Sequence, residues 1–327
     1  MLKIKKSGSH GFTLPNLDIG LDVSGKDTTF TFISHAHADH MPRSSKAKVY
    51  ASPATAKLME ARGFRGQVEI LDFFQPLNID QARITFYPAG HILGSAMTLV
   101  ESEEGNILYT GDFRNPPSPT SEGFQIPDAI DYLITEATFS LPIYRWTDYD
   151  IIFEEIRSFA ASSLSEGFIP VFLAYSLGKT QELMHALAPL EQPIQVHQSA
   201  FPLCKIYNEM GVDLGSYSKF KKNTDSDYIL ITPGMGSSNS ILHSIPKTKI
   251  AYVSGWAALE PRGMSMNVDK RIPLSDHIDF FELISLCEQI RPKKVLITHT
   301  PNSKVICHYL NERNIDASPL ESAFNYD

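Results

Sequence analysis

Residues 34–40 read Ser-His-Ala-His-Ala-Asp-His and directly follow an apolar, strand-like run. In an extended segment alternate side chains face the same side, so His35 and His37 point together, while Asp39 and His40 fall beyond them in the turn. Imidazole and carboxylate groups suit zinc in sites that keep one position open for water. One short loop could therefore begin two metal-coordination shells, although any single histidine in it could be an ordinary surface residue.

Three further candidate ligands stand at the ends of other strand-like runs. His91, Asp112 and His299 each follow such a run. Loops at strand ends often carry functional residues, yet each of the three could also be an ordinary strand end. With the four side chains of the first loop they make a set of seven. Because crowded and unpaired buried imidazoles would be costly, the set indicates a metal centre more strongly than any one member does.

Apolar runs bounded by Gly, Pro and Asp predict the secondary structure. Strands are expected at residues 28–33, 49–51, 68–71, 84–87, 97–101, 107–110, 132–135, 169–174, 194–197, 249–253, 271–274 and 295–298. Helices are expected from residue 149 and at residues 179–186, 201–210, 280–290 and 304–312. The first part is therefore rich in sheet. The part after residue 149 alternates strand and helix, which is typical of a parallel sheet.

The ligand set resembles the metallo-β-lactamase superfamily and, within it, the β-CASP nucleases, which include Artemis-type DNA nucleases and the endonuclease of mRNA 3′-end cleavage. Further blocks that carry the resemblance are residues 133–139, 177–183, 233–235, 274–279 and 298–299. Residues 138–146, Thr-Phe-Ser-Leu-Pro-Ile-Tyr-Arg-Trp, resemble more narrowly the bacterial ligase-associated DNA damage response exonucleases. The resemblance spans almost the whole chain.

The resemblance implies an α/β protein, namely an αββα metallo-β-lactamase sandwich interrupted by an inserted three-layer α/β β-CASP domain. Since His299 must reach metals bound by the first part, the C-terminal stretch should fold back onto it. We therefore expect residues 1–148 and 267–327 to form the sandwich and residues 149–266 to form the insertion. The metals should lie in the cleft between the two domains, where ligands commonly bind.

The resemblance also implies a role for each ligand. The first zinc ion would be held by His35, His37 and His91, the second by Asp39, His40 and His299, and Asp112 would bridge the two. A hydroxide shared by two zinc ions would attack the phosphorus of a phosphodiester, which also places Asp39 among the catalytic residues. Mn²⁺ is a possible substitute for Zn²⁺.

Two acidic residues and a histidine outside the ligand set also receive roles from the resemblance. His277 would protonate the departing sugar oxygen as general acid, and Glu136 would orient it. Without the resemblance, His277 could be a helix-start residue beside a cap at Ser275-Asp276. Asp22 matches an aspartate that supports a metal ligand from behind, although a plain turn residue is the alternative.

Substrate contacts are expected in the insertion. Ser176 and Lys179 lie where a strand leads into a helix, so a hydroxyl, an ammonium and backbone amides could hold a substrate phosphate. Gly234 lies in a second glycine-rich turn that would allow close backbone approach. A simple capped turn is the alternative at both places.

Composition sets limits on the kind of protein. The 327 residues carry a net charge of −8, whereas proteins that hold nucleic acid usually present a basic face. Two bound zinc ions would add four positive charges locally, so the site could favour phosphate while the molecule stays acidic. The three cysteines have no metal-ligand spacing and are expected to be core thiols. No apolar run approaches membrane-spanning length, so we expect no membrane association and a cytoplasmic location.

Three functions compete. The resemblance of residues 138–146 favours a DNA exonuclease of DNA repair, with an ATP-dependent DNA ligase and a helicase of the same pathway as partners. A β-CASP ribonuclease, acting within the chain or from an end, is the alternative, because a histidine at the position of His299 is commoner among the RNA enzymes of the group. Other hydrolases of the superfamily lack the insertion. Exonuclease against endonuclease action, polarity and oligomeric state stay open.

Overall fold

A computed structural model gives the architecture. It describes residues 3–7, 11–222, 227–234, 242, 245–259 and 267–324. Met235 of the predicted block at 233–235 and residues 260–266 of the predicted insertion lie outside the described residues. The chain divides into two compact units, one formed by residues 1–145 with 277–327 and the other by residues 146–276.

The first part of the chain is mostly strands, and strands and helices alternate after residue 149. The strands are β1 Lys5–Ser7, β2 Gly11–Leu14, β3 Ile19–Leu21, β4 Phe30–Phe32, β5 Lys48–Ala51, β6 Val68–Ile70, β7 Leu77–Ile79, β8 Ala82–Pro88, β9 Ala96–Ser102, β10 Gly105–Tyr109, β11 Tyr132–Glu136, β12 Ile169–Leu173, β13 Ile194–Val196, β14 Tyr217–Lys219, β15 Ile229–Thr232, β16 Thr248–Val253, β17 Lys270–Ile272, β18 Lys294–Thr298 and β19 Ala317–Pro319. The helices are α1 Pro53–Ala61, α2 Tyr149–Ser165, α3 Lys179–Leu187, α4 Phe201–Glu209, α5 Phe280–Ile290 and α6 Ser303–Asn311. Short 3₁₀ turns lie at Pro15–Leu17, Ala188–Leu190, Gly255–Ala258 and Leu320–Ala323.

Two mixed sheets form the frame of the first unit. One has the order β1-β2-β3-β4-β5-β6, antiparallel up to β3 and parallel from there on. The other has the order β19-β18-β11-β10-β9-β8-β7, and its strands β10, β11, β18 and β19 are parallel. Because β8 and β10 are each antiparallel to β9, they run in the same direction. The carboxyl ends of β8, β10, β11 and β18 therefore meet at one edge.

The seven-stranded sheet is buried on both faces. One face packs against the six-stranded sheet, where Phe12, Phe32 and Phe86 share a core. The other face packs against α5 and α6 through residues such as Leu283 and Leu310. Burial on both faces explains the nearly continuous apolar runs of its central strands. The expected α/β class with a metallo-β-lactamase sandwich is confirmed.

The second unit has one parallel sheet of the described strands, in the order β14-β13-β15-β12-β16-β17. Its core includes Val171, Leu173 and Leu230. β17 falls within the stretch expected to belong to the sandwich, residues 267–327, but it pairs with β16 in this parallel sheet. Among the described residues, no helix has both the length and the apolar character needed to cross a bilayer.

The core between the two sheets of the first unit gives a prediction for stability. Phe86 is completely buried and meets Phe32 edge to face, with ring centroids 6.1 Å apart. Phe86→Ala should lower the free energy of unfolding by about 3–5 kcal/mol because it leaves a cavity. Phe281→Ala replaces a residue that is 44% exposed, so the free energy of unfolding should change by less than about 1 kcal/mol. Denaturant unfolding of both variants checks this, and equal effects would contradict the core assignment.

Candidate active site

Strand ends deliver the predicted ligands to a common place in the first unit. His35, His91 and Asp112 each lie three residues beyond the last residue of a strand, respectively β4, β8 and β10. His299 follows β18 directly, and Glu136 is the last residue of β11. Since the strands of the seven-stranded sheet named here run in one direction, their ligands gather at one edge.

Six of the seven predicted ligands form two groups that share one carboxylate. Within each group the potential ligand atoms all lie within 4.8 Å of one another. One group consists of His35, His37, His91 and Asp112, and the other of His40, Asp112 and His299. The structure thus brings the first histidine loop together with residues from three other strand ends.

Asp112 stands between the two groups. Its Oδ2 lies 3.5 Å from His35 Nε2, 3.3 Å from His40 Nε2 and 4.0 Å from His91 Nε2. Its Oδ1 lies 3.7 Å from His299 Nδ1. Burial opposes ionisation of Asp112, but the surrounding histidines, His40 first, hold its pKa well below the ordinary value. The carboxylate is therefore ionised and available to two cations at once.

The donor geometry fits metal ions. His35 Nε2 is buried and has no hydrogen-bond partner among the described residues, although buried polar atoms are normally paired. His37 Nδ1 and His91 Nε2 lie 3.1 Å apart, close to the edge of about 3.3 Å expected between two ligands of a tetrahedral zinc ion. Burial, followed by the charge of His40, lowers the pKa of His35 well below its ordinary value. The neutral imidazole that a metal requires is therefore favoured.

Asp39 differs from the other predicted ligands. Its side chain is 54% exposed and its Oδ2 lies 4.0 Å from His40 Nε2. It belongs to neither of the two groups described above. The assignment of Asp39 as a ligand of the second metal and as a catalytic residue therefore stays a prediction.

Asp22 is a buried hydrogen-bonding hub behind the ligands. Its Oδ1 accepts the Ser34 backbone N–H at 2.7 Å, and its Oδ2 accepts the hydroxyls of Ser34 at 2.6 Å and Tyr109 at 2.8 Å. The same Oδ2 lies 2.8 Å from His40 Nδ1, and Ser34 Oγ lies 3.0 Å from His35 Nδ1. One carboxylate can thus fix the ring orientation of His40 directly and that of His35 through Ser34.

Burial alone would lower the pKa of His40, but the carboxylates of Asp112 and Asp22 raise it well above the ordinary value. Burial, together with the charge of Asp22, raises the pKa of Tyr109 well above its ordinary value, so its hydroxyl keeps the proton that it donates. Ser34 and Tyr109 were not predicted as supporting residues. Ser34 directly precedes the first ligand, which was an available signal, whereas nothing in the sequence links Tyr109 to Asp22.

Two of the predicted ligands are each directly preceded by a glycine, and the backbone conformation at that glycine leaves no place for another residue. Gly90 and Gly111 have φ values of +74° and +55°, in the left-handed region that favours glycine. A Cβ at Gly90 would meet the Arg114 carbonyl oxygen at 2.3 Å, and one at Gly111 would meet the Ser34 Cβ at 2.6 Å. The turns before His91 and Asp112 therefore leave no room for a side chain.

His277 and Glu136 form the predicted pair. His277 Nδ1 lies 2.9 Å from Glu136 Oε1 and 3.0 Å from Oε2. Glu136 is fully buried, and its Oε2 also accepts the Thr138 hydroxyl at 2.5 Å. Glu136, His277 and Asp112 form a further group of neighbouring ligand-type atoms. The N-cap of α5 is Asp279, so His277 lies in the loop before the helix, and the alternative of a cap at Ser275-Asp276 is wrong.

The predicted substrate contacts lie in the second unit. Ser176 is half-buried, and its Oγ lies 2.7 Å from the Oγ of Ser199. Gly234 is also half-buried. Both stay predictions as substrate contacts.

Lys179 has a different role from the predicted phosphate contact. It is 1% exposed, and its Nζ lies 2.6 Å from Glu182 Oε2 and 3.3 Å from Asp276 Oδ1. Two carboxylates of its own unit therefore neutralise the ammonium. The predicted position of Lys179 at a helix start is confirmed, but burial of its side chain was not predicted.

Known proteins that are similar to this chain include one named as a DNA ligase and one named as RNase J-like. A protein of Opitutus terrae named Probable DNA ligase is 32% identical, and the match covers 94% of this chain and 30% of that protein. An RNase J-like protein of Methanocaldococcus jannaschii is 31% identical over 85% of this chain and 82% of that protein. The chain thus spans less than a third of the Opitutus protein.

Solved structures support the fold. A protein of unknown function from Enterococcus faecalis V583 superposes with a TM-score of 0.59 at 13% identity, covering 84% of this chain and 76% of that one. At this identity the likeness concerns the fold alone. No family model matches the chain.

The hydrogen bonds that Asp22 accepts lead us to predict weaker metal binding when its charge is removed. Asp22→Asn keeps the shape and tolerates the φ of +52°, but it removes the charge that orients His40. We expect zinc affinity to fall about 10- to 100-fold, measured by competition with a chromophoric chelator. Asp18→Asn is the matched control, since Asp18 has a similar φ of +56° and its side chain accepts the Thr29 N–H. Equal affinities of the two variants would refute the role of Asp22.

Proposed function

The chain belongs to the metallo-β-lactamase/β-CASP nuclease family, and on this basis we propose that it hydrolyses phosphodiester bonds of nucleic acid at a two-metal centre. The observation that carries the proposal is the pair of ligand groups joined at Asp112. A carboxylate shared by two sets of imidazoles is the arrangement that a two-metal hydrolase requires. Zinc is the proposed metal because its preferred ligands are present, with manganese as a substitute.

The chain's own residues would divide the work. His35, His37 and His91 would hold one ion, and His40, His299 and Asp39 the other, with Asp112 shared between them. When bound, the two ions would supply an activated water and polarise the phosphoryl oxygens. Asp112 and Asp39 would offset part of the metal charge and leave the site attractive to a phosphodiester anion. Asp22 would hold the rings of the ligands in place.

His277 would act as the general acid. Departure of a sugar oxygen requires a proton, because an alkoxide is a poor leaving group. Glu136 binds His277 through Nδ1, so Nε2 is the nitrogen that can face the leaving oxygen. The buried carboxylate also stabilises the protonated imidazole before transfer. Hydrogen bonds from Thr138 and the Phe113 N–H fix Glu136 in turn.

DNA is the substrate that we propose first, with the protein acting as an exonuclease in DNA repair. Support comes from residues 138–146 and from the relative named Probable DNA ligase, which matches 94% of this chain. That name also motivates the proposal of an ATP-dependent DNA ligase as partner, with a helicase of the same pathway. Action in the cytoplasm goes with this proposal. Ser176 and Gly234 are the substrate contacts proposed in the second unit.

A ribonuclease is the second candidate. It is favoured by the RNase J-like relative, which this chain matches over 82% of that protein's length, and by the presence of His299. Either substrate would use the same metal centre and the same general acid. The choice therefore depends on contacts to the sugar and the bases rather than on the ligands, since the 2′-hydroxyl is what distinguishes RNA from DNA.

Matched DNA and RNA test the proposal. We expect the zinc-loaded or manganese-loaded protein to shorten end-labelled single-stranded DNA from one end, to act more slowly on RNA of the same sequence, and to lose activity with chelator. Denaturing gels resolve end-directed from internal cleavage. Cleavage of RNA alone would establish the second candidate instead. Cleavage of neither by metal-loaded protein would refute the nuclease proposal.

His277→Ala tests the general acid. It should lower kcat on DNA by about 10²–10⁴-fold, while zinc content measured by elemental analysis stays unchanged. A nucleotide p-nitrophenyl ester has a leaving group that needs no proton, so its cleavage should fall much less. His308→Ala, at a histidine on α6 whose side chain is 66% exposed, should leave both rates unchanged. Loss of zinc in His277→Ala would show that this histidine is a ligand instead.

A further inference from the structure

We propose that Arg114, acting through Glu282, is a positioning residue that holds the general acid His277 at its place beside Asp112. The inference rests on the proposed function. It concerns how the loop of Asp112 and the loop of His277, both in the first unit, keep a fixed distance from each other. Arg114 lies two residues after Asp112, and Glu282 lies five residues after His277. The pair therefore links the loop of the bridging ligand to the start of α5.

A ring of hydrogen bonds already joins the two loops at the backbone. The Phe113 N–H donates to Glu136 Oε1 at 3.0 Å, and Glu136 binds His277 Nδ1. The Ile278 N–H donates to the Phe113 carbonyl at 2.8 Å. Phe113 is thus held on both sides, by the orienting acid and by the residue that follows the general acid. Any shift of residue 113 must move His277, Glu136 or both.

Arg114 joins this ring from outside through an ion pair in which the guanidinium is buried and the Glu282 carboxylate is half-buried. The residue is 3% exposed, and its Nη1 contacts Glu282 Oε2 and donates to the Asn115 carbonyl at 3.2 Å. Its backbone N–H donates to the Ala89 carbonyl at 3.0 Å, two residues before the ligand His91. One residue therefore touches the loops of His91, Asp112 and, through Glu282, His277.

Glu282 connects the ion pair with Arg114 to the start of α5. It forms a capping box with Asp279, whose Oδ1 accepts the Glu282 N–H at 2.8 Å while Glu282 Oε2 accepts the Asp279 N–H at 2.9 Å. The oxygen that receives Arg114 is therefore the same one that fixes the N-cap. Only Ile278 separates this cap from His277, so the ion pair sets where the helix start, and with it the imidazole, can lie.

A stiff support of this kind suits a general acid. Proton transfer to a leaving oxygen requires hydrogen-bond reach, and a displacement of about 1 Å can cost about 100-fold in rate. The buried guanidinium cannot itself bind substrate, because Arg114 is 3% exposed. Its effect should therefore appear in kcat and not in KM.

The experiment compares two substrates in the metal-loaded 327-residue protein. Arg114→Met removes the ion pair, and Glu282→Gln weakens it while keeping a residue that can complete the capping box. Arg83→Met is the matched control, since Arg83 forms a surface pair with Glu101 at 3.6 Å and is 55% exposed. Each variant is assayed on single-stranded DNA and on the nucleotide p-nitrophenyl ester, and zinc content and thermal unfolding are measured in parallel.

The inference predicts a selective loss. Arg114→Met should lower kcat on DNA by about 10- to 100-fold, since a misplaced general acid forfeits part of its 10²–10⁴-fold contribution. KM, zinc content and cleavage of the nitrophenyl ester should stay within about twofold. Glu282→Gln should show a smaller loss of the same kind, the double variant should add little, and Arg114→Lys should recover part of the rate.

Other outcomes would overturn the inference. An equal loss on both substrates, or loss of zinc in Glu282→Gln, would mean that the ion pair supports the metal ligands instead. Unchanged kcat on DNA in Arg114→Met would show that the backbone ring is sufficient without it. If wild-type protein cleaved the nitrophenyl ester but no nucleic acid, the proposed function would fail and the inference with it.

Discussion

The buried carboxylate of Asp112 is the constraint on which the rest of the first unit depends. It lies within 4.0 Å of three imidazole nitrogens through one oxygen and 3.7 Å from a fourth through the other. An ionised carboxylate buried in this way requires positive charge close by, and the neighbouring histidines, His40 first, hold its pKa well below the ordinary value. The two metal ions that we propose would satisfy the carboxylate and the imidazoles together and would account for the convergence of residues so far apart in sequence.

Sheet geometry makes this convergence possible. Five strands of the seven-stranded sheet run in one direction, and the carboxyl ends of four of them deliver His91, Asp112, Glu136 and His299 to one edge. The loop after β4 brings His35 to the same place from the other sheet. Rigid strands thus set the positions of the ligands, while hydrogen bonds to the carboxylates of Asp22 and Glu136 set the orientations of the rings. The two tasks are carried by different residues and can be tested separately.

Much of this could be predicted from the sequence, because the ligands stand at the ends of long apolar runs whose character is easy to recognise. The helix at residues 280–290 was predicted with its observed limits, since its apolar residues mark it, although its N-cap is Asp279 and not Ser275-Asp276. Strands β1, β2, β3, β7, β14 and β19 and helix α1 were not predicted, and most of these strands are only three residues long. β15 was missed although Ile229–Thr232 is an apolar run.

The supporting residues were harder to foresee. Tyr109 lies in a strand and Arg114 in a loop, and only the folded chain shows that they contact Asp22 and Glu282. Lys179 shows the opposite error, since its position at a helix start suggested a phosphate contact, whereas tertiary contacts bury it between two carboxylates. Local sequence patterns thus identify elements and ligands, but long-range hydrogen bonds and burial have to be seen in the structure.

Anomalous scattering from crystals grown with zinc would show directly whether two metal ions share Asp112. The account predicts two ions per chain, one bound by His35, His37 and His91 and the other by His40 and His299, with Asp112 bound to both. A single ion, or two ions of which only one contacts Asp112, would contradict it.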